Sequence, residues 1–371
     1  MPTSVLVAVH AGGQTTRLFR RCSHSMAQQH RTTPGDRPRT ATGLTTHTRW
    51  GTLPTDMSGT PCVIDESERT NPMSEYGWTC PRCGSTLIEN PRGKPLAVSA
   101  GTYEECRRHC PKCRIGLSNA KRPTFARADW RDGLWNRASA PLVETACNNR
   151  IHGDDGQSKL RVMQWERSED LLTWNVFEHL ERAGRLSDLV RWATAYSPKQ
   201  TPQILYWGWS AASPQLRHQL EVVLEKDFGE QAGRRSEPDV MLWADDILVM
   251  FEAKFNSPNP MRSGGRESYM RAAPGAFTEG ATARSGEHEQ LVRNWAIGNR
   301  LVNGRSERHW LINLVPQKAE REIEASFRPL ITSPNHFRRL SWEDLAKNIA
   351  PELTPLLNDC TDYFGPAFSF Q

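Results

Sequence analysis

The chain has 371 residues, of which 24% are charged and 37% are hydrophobic, and its formal net charge is +5. This balance is typical of soluble globular proteins, and no apolar run is long enough to cross a bilayer, so we expect a soluble protein. The length allows two domains, or one domain with appendages. The positive charge comes mostly from arginine, which is compatible with phosphate binding but does not establish it.

The first segment, residues 1–73, is rich in Thr, Ser, Gly, Arg and His and poor in acids. It has no sustained apolar period, so we expect it to be disordered. An Arg-rich, acid-poor start is also typical of an organellar transit peptide, but a clear amphipathic helix is missing. A third interpretation is that Met57 or Met73 is the natural start and the preceding residues are an extension of the gene model.

Two Cys-x-x-Cys pairs, "CPRC" and "CPKC", indicate a metal site in the next segment, 74–125. The four cysteines are Cys80, Cys83, Cys110 and Cys113. Thiolates on two such turns hold a tetrahedral zinc ion, and four protein ligands leave no open position, so we expect structural Zn²⁺ in a zinc-ribbon-like module. Cys106 and His109 lie close enough in the sequence to replace one ligand, and that alternative stays open here.

The total cysteine count indicates a reducing compartment. Nine cysteines are an odd number, whereas disulfide frameworks are usually even in number and belong to small secreted chains. We therefore expect metal-bound and free thiols in an intracellular, cytoplasmic protein.

Residues 126–164 contain tryptophans but only weak periodicity, and we interpret them as a linker region. From residue 165 to 371 the pattern is that of a mixed α/β domain. Ser168 is a plausible N-cap of a helical stretch that breaks near Gly184, and a second helix is expected to end at Gly229.

Two apolar runs, 238–244 and 247–255, follow with Asp245-Asp246 between them, and they predict a β-hairpin. A helix in "EHEQLVRNWAIGNRLVN" and a buried strand in "HWLINLVP" come next. Ser341 and Asp344 have the spacing of a capping box and begin a further helix.

The predicted hairpin brings charges together at the end of an apolar strand. Side chains alternate along a strand, so Glu252 and Lys254 project to one face while Ala253 and Phe255 project to the other. The hairpin also places Asp239 alongside them. Such charges beside an apolar sheet are costly unless they are paired or bind a cation, so the arrangement predicts a metal site.

These residues resemble the PD-(D/E)xK nuclease superfamily. The resemblance is carried by Pro238-Asp239 and Glu252-Ala253-Lys254, by the preceding helix "SEDLLTWNVFEHL", and by "HWLINLV" followed by "LSWEDL". It covers about 165–350. It implies a restriction-endonuclease-like mixed sheet flanked by helices, beside the small zinc-binding module.

The resemblance also implies roles for individual residues. Asp239 and Glu252, with the Ala253 carbonyl, would ligate Mg²⁺, and Lys254 would position or deprotonate the attacking water. Glu169 is the expected additional acid of the first helix, with Glu178 as its rival. A further group of the superfamily carries a glutamine with a tyrosine four residues later. In this chain the residue four positions after Gln290 is Asn294 and not a tyrosine, which leaves Gln290 in doubt as a site residue.

The function expected from the resemblance is Mg²⁺-dependent hydrolysis of phosphodiester bonds in nucleic acid, double-stranded DNA first, in restriction, defence or repair. A homodimer is the arrangement that double-strand cutters often use. Two alternatives remain at this stage. One is a catalytically inactive nucleic-acid-binding protein on a nuclease fold, and the other is a zinc-held interaction protein.

Overall fold

A computed structural model describes residues 79–93, 102–118, 124–153, 156–255, 259 and 267–354, which all belong to one structural unit. The first segment, 1–73, lies outside the described residues. None of the helices in the described ranges combines the length and the apolar character that a membrane span requires.

The cysteine segment forms a small antiparallel sheet. Its four strands follow in chain order: β1 Ile88–Glu89, β2 Arg108–His109, β3 Ile115–Leu117 and β4 Phe125–Arg127. Each Cys-x-x-Cys turn is followed by a residue in the left-handed region, Gly84 with φ +67° and Arg114 with φ +54°. These left-handed residues reverse the chain after each pair, so both pairs face one point.

The segment 126–164, for which the sequence predicted a linker, is folded. After two 3₁₀ turns, Trp130–Gly133 and Arg137–Ser139, it forms helices α1 Ala140–Asn148 and α2 Gln157–Val162. Many of its apolar side chains are buried in the same core as the α/β domain. These include Trp130, Leu134, Val143, Ala146, Cys147, Leu160 and Met163.

The remaining residues form an α/β layer architecture, as the sequence predicted. The helices are α3 Glu169–Arg182, α4 Leu186–Thr194, α5 Pro214–Lys226, α6 Glu267–Ala272, α7 Glu289–Leu301, α8 Ile323–Phe327 and α9 Trp342–Ile349. The strands are β5 Gln203–Tyr206, β6 Val240–Ala244, β7 Ile247–Ala253, β8 His309–Val315 and β9 Phe337–Ser341.

The five strands lie in chain order in one mixed sheet. β5, β6 and β7 are antiparallel, while β8 runs parallel to β7 and β9 runs parallel to β8. The predicted hairpin is confirmed, because Ala244 pairs with Ile247 across the two-residue turn. Asp245 takes φ +54° in that turn, a left-handed conformation that aspartate tolerates better than most side chains.

Apolar cores cover both faces of the sheet. On β7, Val249 and Phe251 point to the core that includes α3 and α4, whereas Leu248 and Met250 point to the core that includes α5 and α7. All seven residues of β7 are buried, which explains why its sequence is continuously apolar until Glu252. Ala253 and Phe255 join the α3 side, as alternation predicted.

The predicted caps are present. The Ser168 side chain accepts a hydrogen bond from the Leu171 backbone N–H, and Ser341 accepts one from Asp344. The predicted break near Gly184 separates α3 from α4. These local signals therefore place the helix starts correctly.

Candidate functional site

The hairpin holds Asp239 and Glu252 side by side. Val240 pairs with Phe251, so one step further along the same register Asp239 lies opposite Glu252. The Ala253 backbone N–H donates to Asp239 Oδ2 at 2.9 Å. Both carboxylates therefore lie at the end of the sheet where β7 finishes.

Lys254 connects the acids of this site. Its Nζ lies 2.6 Å from Glu252 Oε1 and 3.1 Å from Glu169 Oε1. It also donates to the Ala253 carbonyl at 3.3 Å. Because Lys254 is 5% exposed and Glu252 is 1% exposed, this ion pair is almost entirely removed from water.

Glu169, the first residue of α3, is the acid that the first helix brings to the site. Besides contacting Lys254, its Oε2 accepts the Phe255 backbone N–H at 3.0 Å. Glu178 instead accepts a hydrogen bond from Asn136 at 3.0 Å and lies 3.6 Å from Arg182. Of the two glutamates that the sequence offered, the structure thus places Glu169 beside Lys254, while Glu178 has its contacts elsewhere.

Asn294 is a member of the site that the sequence did not identify. It is 0% exposed on α7, and its Nδ2 donates to Glu252 Oε2 at 2.6 Å. Gln290 lies one turn earlier on the helix and, among the described residues, makes no hydrogen bond through its buried Oε1. The sequence could have pointed to Asn294 because it is a polar residue on an otherwise apolar helix face. Buried polar residues normally have a hydrogen-bond partner, so a partner in the core was to be expected.

Burial and charge strongly affect ionisation here. Burial, reinforced by the negative charge of Glu252, raises the pKa of Asp239 well above its usual range. Burial also raises the pKa of Glu169, against the opposing effect of Lys254. For Lys254, burial alone would lower the pKa, but the surrounding carboxylates outweigh it and raise the pKa, so the side chain is an ammonium.

A neighbouring cluster of charged side chains contains equal numbers of acids and bases, unlike the site at the hairpin end. Lys159 Nζ lies 2.7 Å from both Asp170 and Glu237, and Arg150 is 3.4 Å from Glu237. Two acids thus face two bases, and the cluster is neutral. At the hairpin end, by contrast, Glu169 and Glu252 contact the single ammonium of Lys254, and a third acid, Asp239, is held at the Ala253 N–H next to them.

The donor set at the hairpin end suits a hard divalent cation. Carboxylate and carbonyl oxygens are the ligands that Mg²⁺ accepts, and two positive charges would balance the excess of acids. The Lys254 ammonium contacts Glu252 and the Ala253 carbonyl, which are two of the three ligands that the resemblance assigns to the metal. These residues therefore fit Mg²⁺ by chemistry and charge.

The four cysteines of the small module converge. The sulfur atoms of Cys80, Cys83, Cys110 and Cys113 all lie within 4.8 Å of one another, and the Cys83 and Cys110 sulfurs are 3.6 Å apart. Zn–S bonds of about 2.3 Å in a tetrahedron separate the sulfurs by roughly 3.8 Å. The cluster can thus hold a metal ion such as zinc.

The two alternative ligands have other partners. The Cys106 thiol is buried and points to the Thr102 carbonyl at 3.8 Å. His109 Nε2 lies 2.7 Å from the Tyr103 carbonyl, and the two rings stack with centroids 4.2 Å apart. The four-cysteine set is therefore the one that the fold assembles.

A scan against protein-family models and searches of curated proteins and of solved structures found no match for this chain.

Proposed function

We propose that the chain is a Mg²⁺-dependent nuclease of the PD-(D/E)xK type that hydrolyses phosphodiester bonds, with DNA as the first substrate to test. The observation that carries the proposal is the convergence of Glu169, Asp239, Glu252 and Lys254 at one end of the sheet. The order of helix, hairpin, helix, strand and helix supports a restriction-endonuclease-like fold.

The charge excess of the site supports metal dependence. Asp239 and Glu252 are the residues that would hold Mg²⁺, together with the Ala253 carbonyl. A bound divalent ion lowers the pKa of its water and neutralises charge that develops on a phosphate. Without such a cation, burial and then the negative charge of Glu252 raise the pKa of Asp239, so its ionised form is unfavourable there.

Lys254 is suited to positioning rather than to accepting a proton. Its pKa is raised, so the ammonium keeps its protons and can donate to the attacking water or to a phosphate oxygen. Glu169 is partly exposed and its pKa is also raised, which makes it the better proton acceptor in this set. In hydrolysis the water oxygen bonds to phosphorus, the bond to the leaving oxygen breaks, the water's proton passes to a carboxylate, and the leaving oxygen takes up a proton from solvent to become a hydroxyl group.

The direct test is cleavage of plasmid DNA, single-stranded DNA and RNA by the full chain with and without Mg²⁺. We expect Mg²⁺-dependent cleavage that Lys254→Ala and Glu169→Gln reduce by about 10³-fold, since a charge-stabilising contact contributes several kcal/mol. Glu178→Gln is the matched control, being a buried glutamate of the same helix with partners outside the site.

Two results would contradict the proposal. One is the absence of cleavage of all three substrates by the wild type, and the other is a wild-type rate for Lys254→Ala. Nucleic-acid binding without cleavage would favour the inactive binding protein instead.

A further inference from the structure

A cavity of about 270 Å³ lies between the cysteine module and the start of α3. The residues that matter for its chemistry are Arg82, Arg127, Trp135, Glu166, Ser168 and Asn175. Ser168 caps α3 and lines the cavity, while the next residue, Glu169, contacts Lys254. The start of one helix therefore contributes to both the cavity and the proposed nuclease site.

Glu166 lines the cavity and is a buried carboxylate, one oxygen of which makes no hydrogen bond to the described residues. Its Oε1 accepts from Thr124 Oγ1 at 2.9 Å and from the Phe125 backbone N–H at 3.1 Å, and Arg167 lies 4.0 Å from the same oxygen. Its Oε2 is buried and, within the described part of the chain, has no hydrogen-bond partner. The residue is only 7% exposed.

An unpaired buried acceptor is costly, by roughly 1–3 kcal/mol and more when it is charged. Burial raises the pKa of Glu166 to about 7, which reflects the same cost. A ligand that donates an N–H group to Oε2 would remove that cost.

The rest of the wall combines an aromatic ring, cationic groups and a second carboxylate, Asp132, which is paired with Arg137 at 2.5 Å. Trp135 is a large apolar side chain that is 42% exposed, and its backbone N–H is held by Asn175 Oδ1 at 3.0 Å. Arg82 belongs to the first cysteine turn and is exposed. An exposed indole and an arginine on the wall of one cavity offer a surface on which a nucleic-acid base can stack and a cation that can bind its phosphate.

We propose that this cavity binds one unpaired nucleotide whose base donates an exocyclic amino group to Glu166 Oε2, with the ring against Trp135 and the phosphate near Arg82. The inference rests on the proposed function in one respect, namely that the nucleotide belongs to the strand that the nuclease acts on. A volume of about 270 Å³ is at the small end for ligand sites, which suits one nucleotide rather than a longer segment.

The charge of Glu166 predicts which bases are accepted. Carboxylates accept hydrogen bonds from amino groups, as they do from cytosine N4. Thymine has one ring N–H between two carbonyl oxygens, and those oxygens would face the carboxylate unfavourably. Bases with an amino group should therefore bind better than thymine.

The test uses calorimetric titration of the full chain at about pH 8.5, above the pKa of about 7 of Glu166, without added Mg²⁺, with dCMP, dGMP, dAMP and dTMP. Mononucleotides contain no internucleotide bond, so binding is measured apart from cleavage. We expect dCMP to bind at least about tenfold more tightly than dTMP, in the millimolar range that a single nucleotide reaches.

Glu166→Gln is the decisive variant. Because Oε1 must go on accepting from Thr124 and Phe125, the glutamine amide N–H₂ falls at the place of Oε2 and presents a donor there. We expect dCMP binding to weaken at least tenfold and the preference over dTMP to be lost. Trp135→Ala should weaken all nucleotides, while the equally buried Glu178→Gln should bind as the wild type does.

The cavity proposal is overturned if the wild type binds none of the four nucleotides up to about 10 mM, or if Glu166→Gln keeps the wild-type preference. Lys254→Ala separates it from the nuclease proposal, since this variant should lose cleavage and still bind dCMP. If nucleotides bind in a way that depends on Glu166 but the protein cleaves nothing, the cavity proposal stands and the nuclease proposal is rejected. If the protein cleaves nucleic acid but nucleotide binding does not depend on Glu166, the nuclease proposal stands and the cavity proposal is rejected.

Discussion

At the level of single residues, Asp239 is held where its negative charge is disfavoured. The hairpin register places it opposite Glu252, and the Ala253 backbone N–H fixes its Oδ2. Its raised pKa, caused by burial and then by Glu252, means that folding disfavours the ionised form of Asp239 relative to the unfolded chain. This is the pattern expected where function, rather than stability, selects a residue.

Asp239→Asn should therefore stabilise the metal-free protein at pH 7. An acid whose pKa is raised by folding contributes stability that is present below its unfolded pKa, about 3.9, and lost as pH rises through the folded pKa. We expect the Asn variant to melt about 2–4 °C higher at pH 7, the shift that 1 kcal/mol produces in a domain of this size.

The higher melting temperature of Asp239→Asn should disappear near pH 3, where the wild-type Asp239 carboxyl is protonated in both the folded and the unfolded state. Thermal melts at several pH values measure it, with Asp246→Asn in the same hairpin as control, since Asp246 is paired with Arg308 at 2.6 Å. A lower melting temperature for Asp239→Asn at pH 7 would contradict this account.

Asn294 forms a hydrogen bond to Glu252 and, among the described residues, to no other acid of the site. By donating to Oε2 at 2.6 Å it leaves Oε1 for Lys254, so it sets the rotation of the carboxylate. It is thus a positioning residue for a ligand of the proposed metal. Partners of this kind typically change metal affinity or activity by 10–100-fold when removed.

Asn294→Ala should raise the Mg²⁺ concentration needed for half-maximal cleavage by about 10–100-fold. Asn299→Ala is the matched control, because Asn299 is equally buried on the same helix but bonds to Ser306. Equal Mg²⁺ dependence in the two variants would show that Asn294 is structural only.

At the level of elements, local sequence signals predicted the hairpin and the helix starts because their causes are local. The Ser168 and Ser341 caps, and the two-residue turn at Asp245, each depend on neighbouring residues. The approach of Glu169 to Lys254 depends on packing of α3 against the sheet. That contact joins residues far apart in the chain, so spacing alone could not choose Glu169 over Glu178.

The four cysteines of the candidate metal site show the same division between local and distant causes. The two Cys-x-x-Cys turns are local, and the structure brings all four cysteines together. The exclusion of Cys106 and His109 depends instead on the strand pairing of the module and on the Thr102 and Tyr103 carbonyls. The spacing of cysteines in the sequence does not predict these carbonyl partners.

A pair of serine substitutions tests this assignment. Cys110→Ser should lose zinc and destabilise the module, because binding of structural zinc contributes about 10–16 kcal/mol to folding. Cys106→Ser should keep the wild-type zinc content, since its hydroxyl can still donate to the Thr102 carbonyl. Metal analysis of protein prepared without chelators gives the answer, and a loss of zinc in Cys106→Ser would overturn the four-cysteine set.

At the level of the whole molecule, the cysteine module and the α/β domain are joined by direct contacts. Ala126 on β4 pairs with Trp165, and Glu166 binds Thr124 and Phe125. The helices between these points pack into the main core. Their apolar residues follow no regular period because short helices and 3₁₀ turns bury them, which is why the sequence indicated a linker.

The α/β domain should accordingly begin near residue 128 and not at residue 165. A chain that starts at residue 165 loses Trp130, Val143 and Leu160 from the core, and each buried apolar side chain of this kind contributes about 1.5–3 kcal/mol. Since a typical domain has a stability of about 5–15 kcal/mol in total, the loss of the whole segment should leave it unfolded.

A chain that starts at residue 128 keeps those residues, loses mainly the Glu166 contacts to Thr124 and Phe125, and should unfold cooperatively. Circular dichroism melts of both, beside a chain that starts at residue 79, measure the difference. If the chain that starts at residue 165 melted as cooperatively as the one from residue 128, the helices α1 and α2 would be dispensable, and the segment would be the linker that the sequence indicated.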